Sequence, residues 1–167
     1  MMQKKYILIF LFFFIFNSYA YSASSGSSGN NDGKSIKVNN FKLGSNFIKQ
    51  AKKYEKKGKN EKAKKRFSKA LKYLILANKE KPNQPDTLNY LGFASRKIGN
   101  FENAEKYYLE GLSIDPNHYG INEYLGELYV NTGRLDKAKE RLKVLENCNC
   151  EEFKELNNAI KSGSSKY

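Results

Sequence analysis

The sequence is poor in the side chains that most catalytic and metal sites need. Its 167 residues include one histidine, two cysteines and no tryptophan. A single histidine leaves little room for acid–base chemistry, and with two cysteines it lacks the paired ligand spacing of a structural zinc site. The sequence also contains no nucleophile elbow and no phosphate-binding loop. We therefore expect a non-catalytic protein with no cofactor, no metal and no small-molecule substrate.

Long hydrophobic runs are also scarce, and the clearest one lies near the N-terminus. Lys4 and Lys5 precede the apolar residues 6–16, and the small residues Ser18 and Ala20 follow at the positions that a signal peptidase reads. This pattern is typical of a secretory signal peptide. An uncleaved anchor is the alternative, but the run is well short of the ~20 residues that cross a bilayer as a helix. We expect residues 1–20 to be a signal peptide and the protein to be exported to a bacterial periplasm, with secretion from the cell as the alternative.

Residues 21–44 lack a periodic apolar pattern in their first part, where serine, glycine and asparagine predominate. Such a composition buries too little apolar surface to offset the entropy of ordering the chain. We expect these residues to form a flexible tether.

The rest of the chain contains an internal repeat. Residues 85–118 align without a gap with the segment that begins at Tyr119, and small residues recur at the same offsets. Each unit predicts two helices, because a glycine interrupts the helical pattern and Pro116 stops the second helix of the middle unit. Small residues inside both helices allow the helices to pack closely. The matching pairs are Leu91-Gly92 and Leu125-Gly126, Gly99 and Gly133, Phe101 and Leu135, and Ala104 and Ala138.

This pattern resembles the tetratricopeptide repeat, a helix-turn-helix unit of 34 residues. The residues at the motif positions are Leu91, Gly92, Gly99, Ala104, Tyr108, Gly111 and Pro116. Leu88 and Asn122 depart from the motif, which often has tryptophan there. The resemblance implies an all-α, right-handed α-solenoid, and it extends to exported bacterial proteins of this kind.

The repeat pattern divides the chain into about three units and a closing helix. A first, degenerate unit covers residues 45–84, and its two possible registers differ by seven residues, a drift of only about 20°. We therefore expect one elongated second helix over Asn60–Glu80. The second unit covers residues 85–118 and the third 119–150. Apolar residues at helical spacing predict a capping helix over 151–162, followed by a short tail at 163–167.

Positive charge is concentrated in the first unit. Residues 34–81 contain 17 Lys+Arg and 3 Asp+Glu, whereas residues 82–167 contain 11 and 13. Such a surface attracts anionic partners, although a merely solvated helical surface is the alternative. An acidic protein surface or anionic membrane head groups fit better than nucleic acid, because Phe47, Tyr54 and Phe67 occupy packing positions rather than base-stacking ones.

Cys148 and Cys150 are separated by one residue in a chain that we expect to be exported. An oxidising compartment favours a disulfide between them, which would act as a staple before the capping helix. A thiol-exchange role is the less favoured alternative.

The resemblance implies that the first helix of each unit lines a concave groove that binds peptides or partner helices. Tyr90, Phe93 and Tyr124 are the candidate anchors, with packing between repeats as the alternative. Ile48, Tyr90, Gly120 and Tyr124 replace the Lys, Asn, Lys and Arg with which some family members clamp a C-terminal carboxylate, so such a clamp is disfavoured. The predicted groove residues are Lys49, Lys52, Lys56, Asn89, Tyr90, Phe93, Arg96, Lys97, Glu123, Tyr124, Glu127 and Asn131.

Three functional hypotheses follow from these patterns. The first is an exported adaptor that binds a protein or peptide in the groove, and the resemblance extends this to envelope or pilus assembly. The second is a protein whose basic first repeat docks on anionic membrane head groups. The third is thiol exchange at Cys148 and Cys150.

Overall fold

A computed structural model describes residues 39–165 of the chain. The predicted signal peptide, most of the predicted tether and the last two residues lie outside this range. The described part folds into seven helices, and none of them is both long and apolar enough to span a membrane. The helices are α1 (Asn40–Glu55), α2 (Asn60–Glu80), α3 (Pro85–Lys97), α4 (Phe101–Ile114), α5 (Tyr119–Asn131), α6 (Leu135–Val144) and α7 (Glu151–Ser162).

The helices form three consecutive hairpins, α1–α2, α3–α4 and α5–α6, and α7 packs on α5 and α6. Each hairpin contacts the next mainly through its second helix, since α2 packs on α3 and α4 packs on α5, and the first helices also contact one another, α1 with α3 and α3 with α5. Within the described residues the second helices α2, α4 and α6 do not pack on one another. The first helices therefore line the inner side of a curved array. This architecture confirms the predicted all-α solenoid with a capping helix.

Glycines inside the first helices permit the close packing that the repeat pattern predicts. A side chain at Gly92 would overlap the ring of Tyr108 in α4, and a Cβ at Gly126 would lie 2.5 Å from the Leu156 side chain in α7. Tyr108 and Leu156 are fully buried. The close packing of Tyr108 and Leu156 against these glycines therefore explains them, and it compensates for the low helix propensity of glycine.

The second helix of the first hairpin spans the range that the sequence predicts. Its buried residues lie at helical spacing along the whole of α2, and they combine both of the sequence registers on one face. These residues are Ala63, Phe67, Ala70, Leu74 and Ala77.

The first helix begins earlier than the sequence suggests. We expected a tether up to residue 44, but α1 starts at Asn40, and the Asn39 side chain accepts a hydrogen bond from the backbone N–H of Lys42 at 2.9 Å. Phe41 packs edge-on against Tyr90, and Gly44 is buried against Leu74. The tether prediction is therefore wrong for these residues, because α2 and α3 cover the extra turn.

Candidate functional site

Six of the twelve predicted groove residues meet on the inner side of the array. Each of the three first helices contributes, and helical spacing brings residues three or four positions apart onto the same face. We call this group the inner-face cluster. It consists of Lys52 from α1, Phe93 and Arg96 from α3, and Glu123, Tyr124 and Glu127 from α5.

A buried ion pair lies at the centre of the inner-face cluster. Arg96 Nη2 donates to Glu127 Oε2 at 2.7 Å, and the two side chains are 2% and 0% exposed. Arg96 Nε and Nη1 and Glu127 Oε1 have no hydrogen-bond partner among residues 39–165. Burying a charged pair is costly, and polar atoms that stay unsatisfied raise the cost further. A contribution to the stability of the fold therefore does not by itself explain this ion pair.

Two aromatic rings flank this ion pair. Phe93 and Tyr124 lie with ring centroids 4.8 Å apart, and the Arg96 guanidinium carbon is 5.7 and 5.6 Å from the two centroids. Lys52 Nζ is 4.5 Å from the Phe93 centroid and 3.4 Å from the Tyr124 hydroxyl oxygen. Cations at such distances are attracted to the ring faces. Two positive charges from different hairpins are thus held against two rings.

Burial perturbs the acids of the cluster. It raises the pKa of Glu123 to about 8, and the negative charges of Glu127 and Glu152 add to the effect. Burial also raises the pKa of Glu127, although Arg96 opposes that change. At neutral pH, Glu123 is therefore mostly protonated and can donate a hydrogen bond.

Burial lowers the pKa of Lys52, and the nearby carboxylates, Glu123 first among them, act against that change. Lys52 is only half-buried, like Tyr124. These two side chains form the accessible part of the inner-face cluster, whereas Phe93 is 1% exposed and serves as packing beneath them.

Three further predicted groove residues contact neighbouring helices instead of the cluster. Tyr90 packs on Phe41 of α1 with centroids 5.6 Å apart. Lys97 forms an ion pair with Glu55 at 2.5 Å, and Asn89 lies beside Gly120 of α5.

The remaining three predicted groove residues are exposed. Lys49 lies on the surface of α1, and Lys56 follows directly after the end of α1. Asn131 donates through Nδ2 to Ser165 Oγ at 2.8 Å, close to the chain end. The structure therefore does not bring these three residues into the inner-face cluster.

Sequence reasoning missed the contribution of α7 to this site. Glu152 raises the pKa of Glu123, and Glu155 raises that of Glu127. The spacing of three residues between the two acids is the signal that places them on one face of α7. Acids from α5 and α7 therefore meet at this end of the inner side, an arrangement that only tertiary packing creates.

The two cysteines and the histidine occupy loop positions. Cys148 and Cys150 form a disulfide with each other, with a Cα–Cα distance of 5.1 Å, in the loop before α7. His118 caps α5, since its Nδ1 accepts a hydrogen bond from the backbone N–H of Ile121 at 3.2 Å. Within residues 39–165, no three His, Cys, Asp or Glu residues are grouped so as to hold a metal ion. The thiol-exchange alternative stays a prediction.

Part of the chain matches a known family. The family model described as tetratricopeptide repeat matches residues 95–152, which run from the end of α3 to the start of α7. No curated protein matches the sequence.

The chain is also similar to solved structures at low identity. The first TPR of Spaghetti (RPAP3), bound to the HSP90 peptide SRMEEVD, is 19% identical with a TM-score of 0.48, over 77% of this chain and 94% of that chain. The type III secretion translocator chaperone SycD of Yersinia enterocolitica is 22% identical with a TM-score of 0.47, over 73% of this chain and 89% of that chain.

Proposed function

We propose that the protein is an exported, non-catalytic adaptor that binds a peptide or helix of a partner protein along the inner side of its first helices. The inner-face cluster carries this proposal. It joins charged and aromatic side chains from three separate hairpins, and it leaves buried polar atoms of Arg96 and Glu127 unsatisfied among the described residues. A buried polar atom without a partner calls for an explanation other than stability, and acids with perturbed pKa values cluster at functional sites.

The accessible side chains suggest the chemistry of the partner. Lys49 on α1 and Lys56 directly after α1 are exposed, and the half-buried Lys52 lies between them in the sequence. Tyr124 adds a half-buried ring, and tyrosine is enriched among the residues that dominate binding energy. We therefore propose a partner segment with an acidic group near α1 and an apolar side chain near Tyr124.

The compartment and process belong to the proposal as well. Export to a bacterial periplasm rests on the predicted signal peptide in residues 1–20, and a role in envelope or pilus assembly rests on the resemblance to exported repeat proteins. Fractionation of the producing cells, with the mature N-terminus sequenced, tests the export step. A protein that keeps its first 20 residues in the cytoplasm contradicts it.

Site-specific photocrosslinking tests the adaptor role. A photoreactive residue at position 124 samples the inner side, and one at position 109 on α4 is the matched control, because Leu109 is 49% exposed and lies on a second helix. We expect one discrete protein adduct from position 124 and none from position 109. Equal adducts from both positions, or an undiminished adduct from position 124 after Lys52→Gln, contradict binding at the inner-face cluster.

A second candidate function is docking on an anionic membrane through the first hairpin. The charge of this hairpin favours it, since residues 34–81 carry 17 Lys+Arg against 3 Asp+Glu. Salt separates the two candidates, because about 1 M salt reduces the screening length to ~3 Å. Vesicle binding through exposed lysines is expected to disappear at that salt concentration, whereas peptide binding anchored on Tyr124 is expected to persist.

A further inference from the structure

A second concave site lies on the first hairpin, away from the inner-face cluster. It is a cavity of about 310 Å³ between α1 and α2. We call it the basic pocket. Its lining consists of Tyr54 from α1 and Lys62, Lys65, Arg66 and Lys69 from α2.

The four cations of the basic pocket share one face of α2. Their positions follow the spacing i, i+3, i+4 and i+7, which aligns side chains along a helix. Like charges at these separations destabilise a helix. Among residues 39–165, none of the four forms an ion pair with a carboxylate. The α2 helix therefore carries a like-charge repulsion that no ion pair of these four side chains offsets among the described residues.

Aromatic rings hold two of these cations in place. The Arg66 guanidinium carbon lies 5.8 Å from the Phe47 centroid and 6.0 Å from that of Tyr54. Lys69 Nζ is 5.9 Å from the Phe47 centroid, and Phe47 in turn stacks on Tyr73 with centroids 5.5 Å apart. Cation–ring attraction at these distances orients the donors. The pocket is thus partly preorganised for an acceptor.

We propose that the basic pocket binds a phosphate group. A phosphate ester or anhydride carries more than one negative charge and several acceptor oxygens, which suits four cations around a single cavity. A lone side-chain carboxylate would neutralise only one of the four charges. Arg66 contributes the planar set of donors that recognises phosphate well. The basic pocket shares no residue with the inner-face cluster, so an experiment can disprove one of the two proposed sites without disproving the other.

Titration with inorganic tripolyphosphate tests this proposal. The pocket variant Lys65→Gln/Lys69→Gln removes two lining charges. The matched control Lys64→Gln/Lys72→Gln removes two exposed charges from the same helix outside the lining. We expect calorimetry at 0.15 M salt to show binding that is at least about tenfold weaker in the pocket variant and less than about threefold weaker in the control. No binding by the wild type, or equal losses in both variants, overturns the proposal.

Thermal unfolding provides a readout that is independent of calorimetry. Tripolyphosphate should raise the Tm of the wild type and of the control variant, but not that of the pocket variant, because only a ligand that binds the native state stabilises it. Unfolding without ligand also shows that the pocket variant is folded. An equal rise in Tm for all three proteins contradicts a defined site.

Vesicles then identify the source of the phosphate group. Vesicles of phosphatidylglycerol in phosphatidylcholine are compared with vesicles of phosphatidylcholine alone. Loss of phosphatidylglycerol binding in the pocket variant but not in the control supports the site with a lipid head group as its ligand. Tripolyphosphate binding without any vesicle binding supports the site with a soluble phosphate compound as its ligand.

Discussion

The two ends of the helical array are completed in different ways. At the C-terminal end, α7 packs on α5 and α6 and buries Leu156 and Ala159. At the other end of the described chain, the half-buried ring of Phe47 lies beneath Arg66 and Lys69. A helix excludes water from an apolar surface completely, whereas long cationic side chains cover rings with their stems and keep their charges in water. Among residues 39–165, one end is therefore closed by a helix, whereas the other presents its cations to an anion.

The largest effect that this comparison predicts concerns the closed end. Leu156 is fully buried between α7 and the third hairpin, so Leu156→Ala should lower the free energy of unfolding by about 2–5 kcal/mol. Phe47→Ala, at the other end, should cost less because Phe47 is only half-buried. Urea denaturation of the two variants measures both losses. A Phe47→Ala loss as large as that of Leu156→Ala would mean that the two ends are equally well packed.

The second prediction concerns the contact between Gly126 and Leu156, which positions α7 on α5. A Cβ at position 126 would lie 2.5 Å from Leu156, so Gly126→Ala should cost about 1–3 kcal/mol despite the better helix propensity of alanine. The double variant Gly126→Ala/Leu156→Ala should lose less than the sum of the single losses, because the smaller residue removes the overlap. Additive losses of unfolding free energy would show that Leu156 of α7 does not pack against Gly126.

The third prediction uses the acids at the closed end. The pKa of Glu123 is about 8 in the folded chain and close to 4.3 when unfolded. The native state therefore holds the proton more tightly. The stability that this provides is complete below the unfolded value, and it is lost as pH rises through about 8.

Each pH unit within this window should cost up to about 1.4 kcal/mol. Chemical denaturation of the wild type and of Glu123→Gln at several pH values isolates the contribution of Glu123. We expect the difference in unfolding free energy between the two proteins to change steadily between pH 5 and 8. A constant difference across that range contradicts the buried, protonated state of Glu123.

The smallest predicted effect lies at the open end. Removing like charges at i and i+4 should make Lys65→Gln/Lys69→Gln more stable than the wild type by about 0.2–0.5 kcal/mol. The gain should shrink in high salt. The Lys64→Gln/Lys72→Gln control should show less stabilisation, since Lys64 has no like charge three or four residues away on α2. A pocket variant that is less stable than the control would show that the lysine stems matter more as packing than as charge.

The middle and last hairpins were predictable because small residues mark where helices approach. Gly92 and Gly126 occupy equivalent positions, and each has a large buried side chain against it. The start of the first hairpin was missed for the opposite reason. Gly44 lies against Leu74 in the same way, but it has no counterpart at the 34-residue offset, and the polar residues around it resemble a linker.

The sequence was enough to predict which groove residues share the inner face, but not which of them are exposed on it. Helical spacing places Phe93 and Tyr124 on the inner side, and they do meet there. Spacing alone does not give the distance between neighbouring helices, which determines that Phe93 is buried and that Arg96 pairs with Glu127. The influence of α7 on the acids of α5 depends on tertiary packing, because the spacing of Glu152 and Glu155 shows only that they share one face of α7.

The length of α2 has a consequence for how this kind of array can change. Its 21 residues exceed the 14 of α4 by seven, which corresponds to about 10 Å of helix. An insertion of seven residues returns the apolar stripe to within about 20° of its starting direction, whereas an insertion of one or two residues would rotate it out of contact. A helix in such an array can therefore lengthen only in discrete steps. Each permitted step adds outward-facing positions whose side chains can change without repacking the interior.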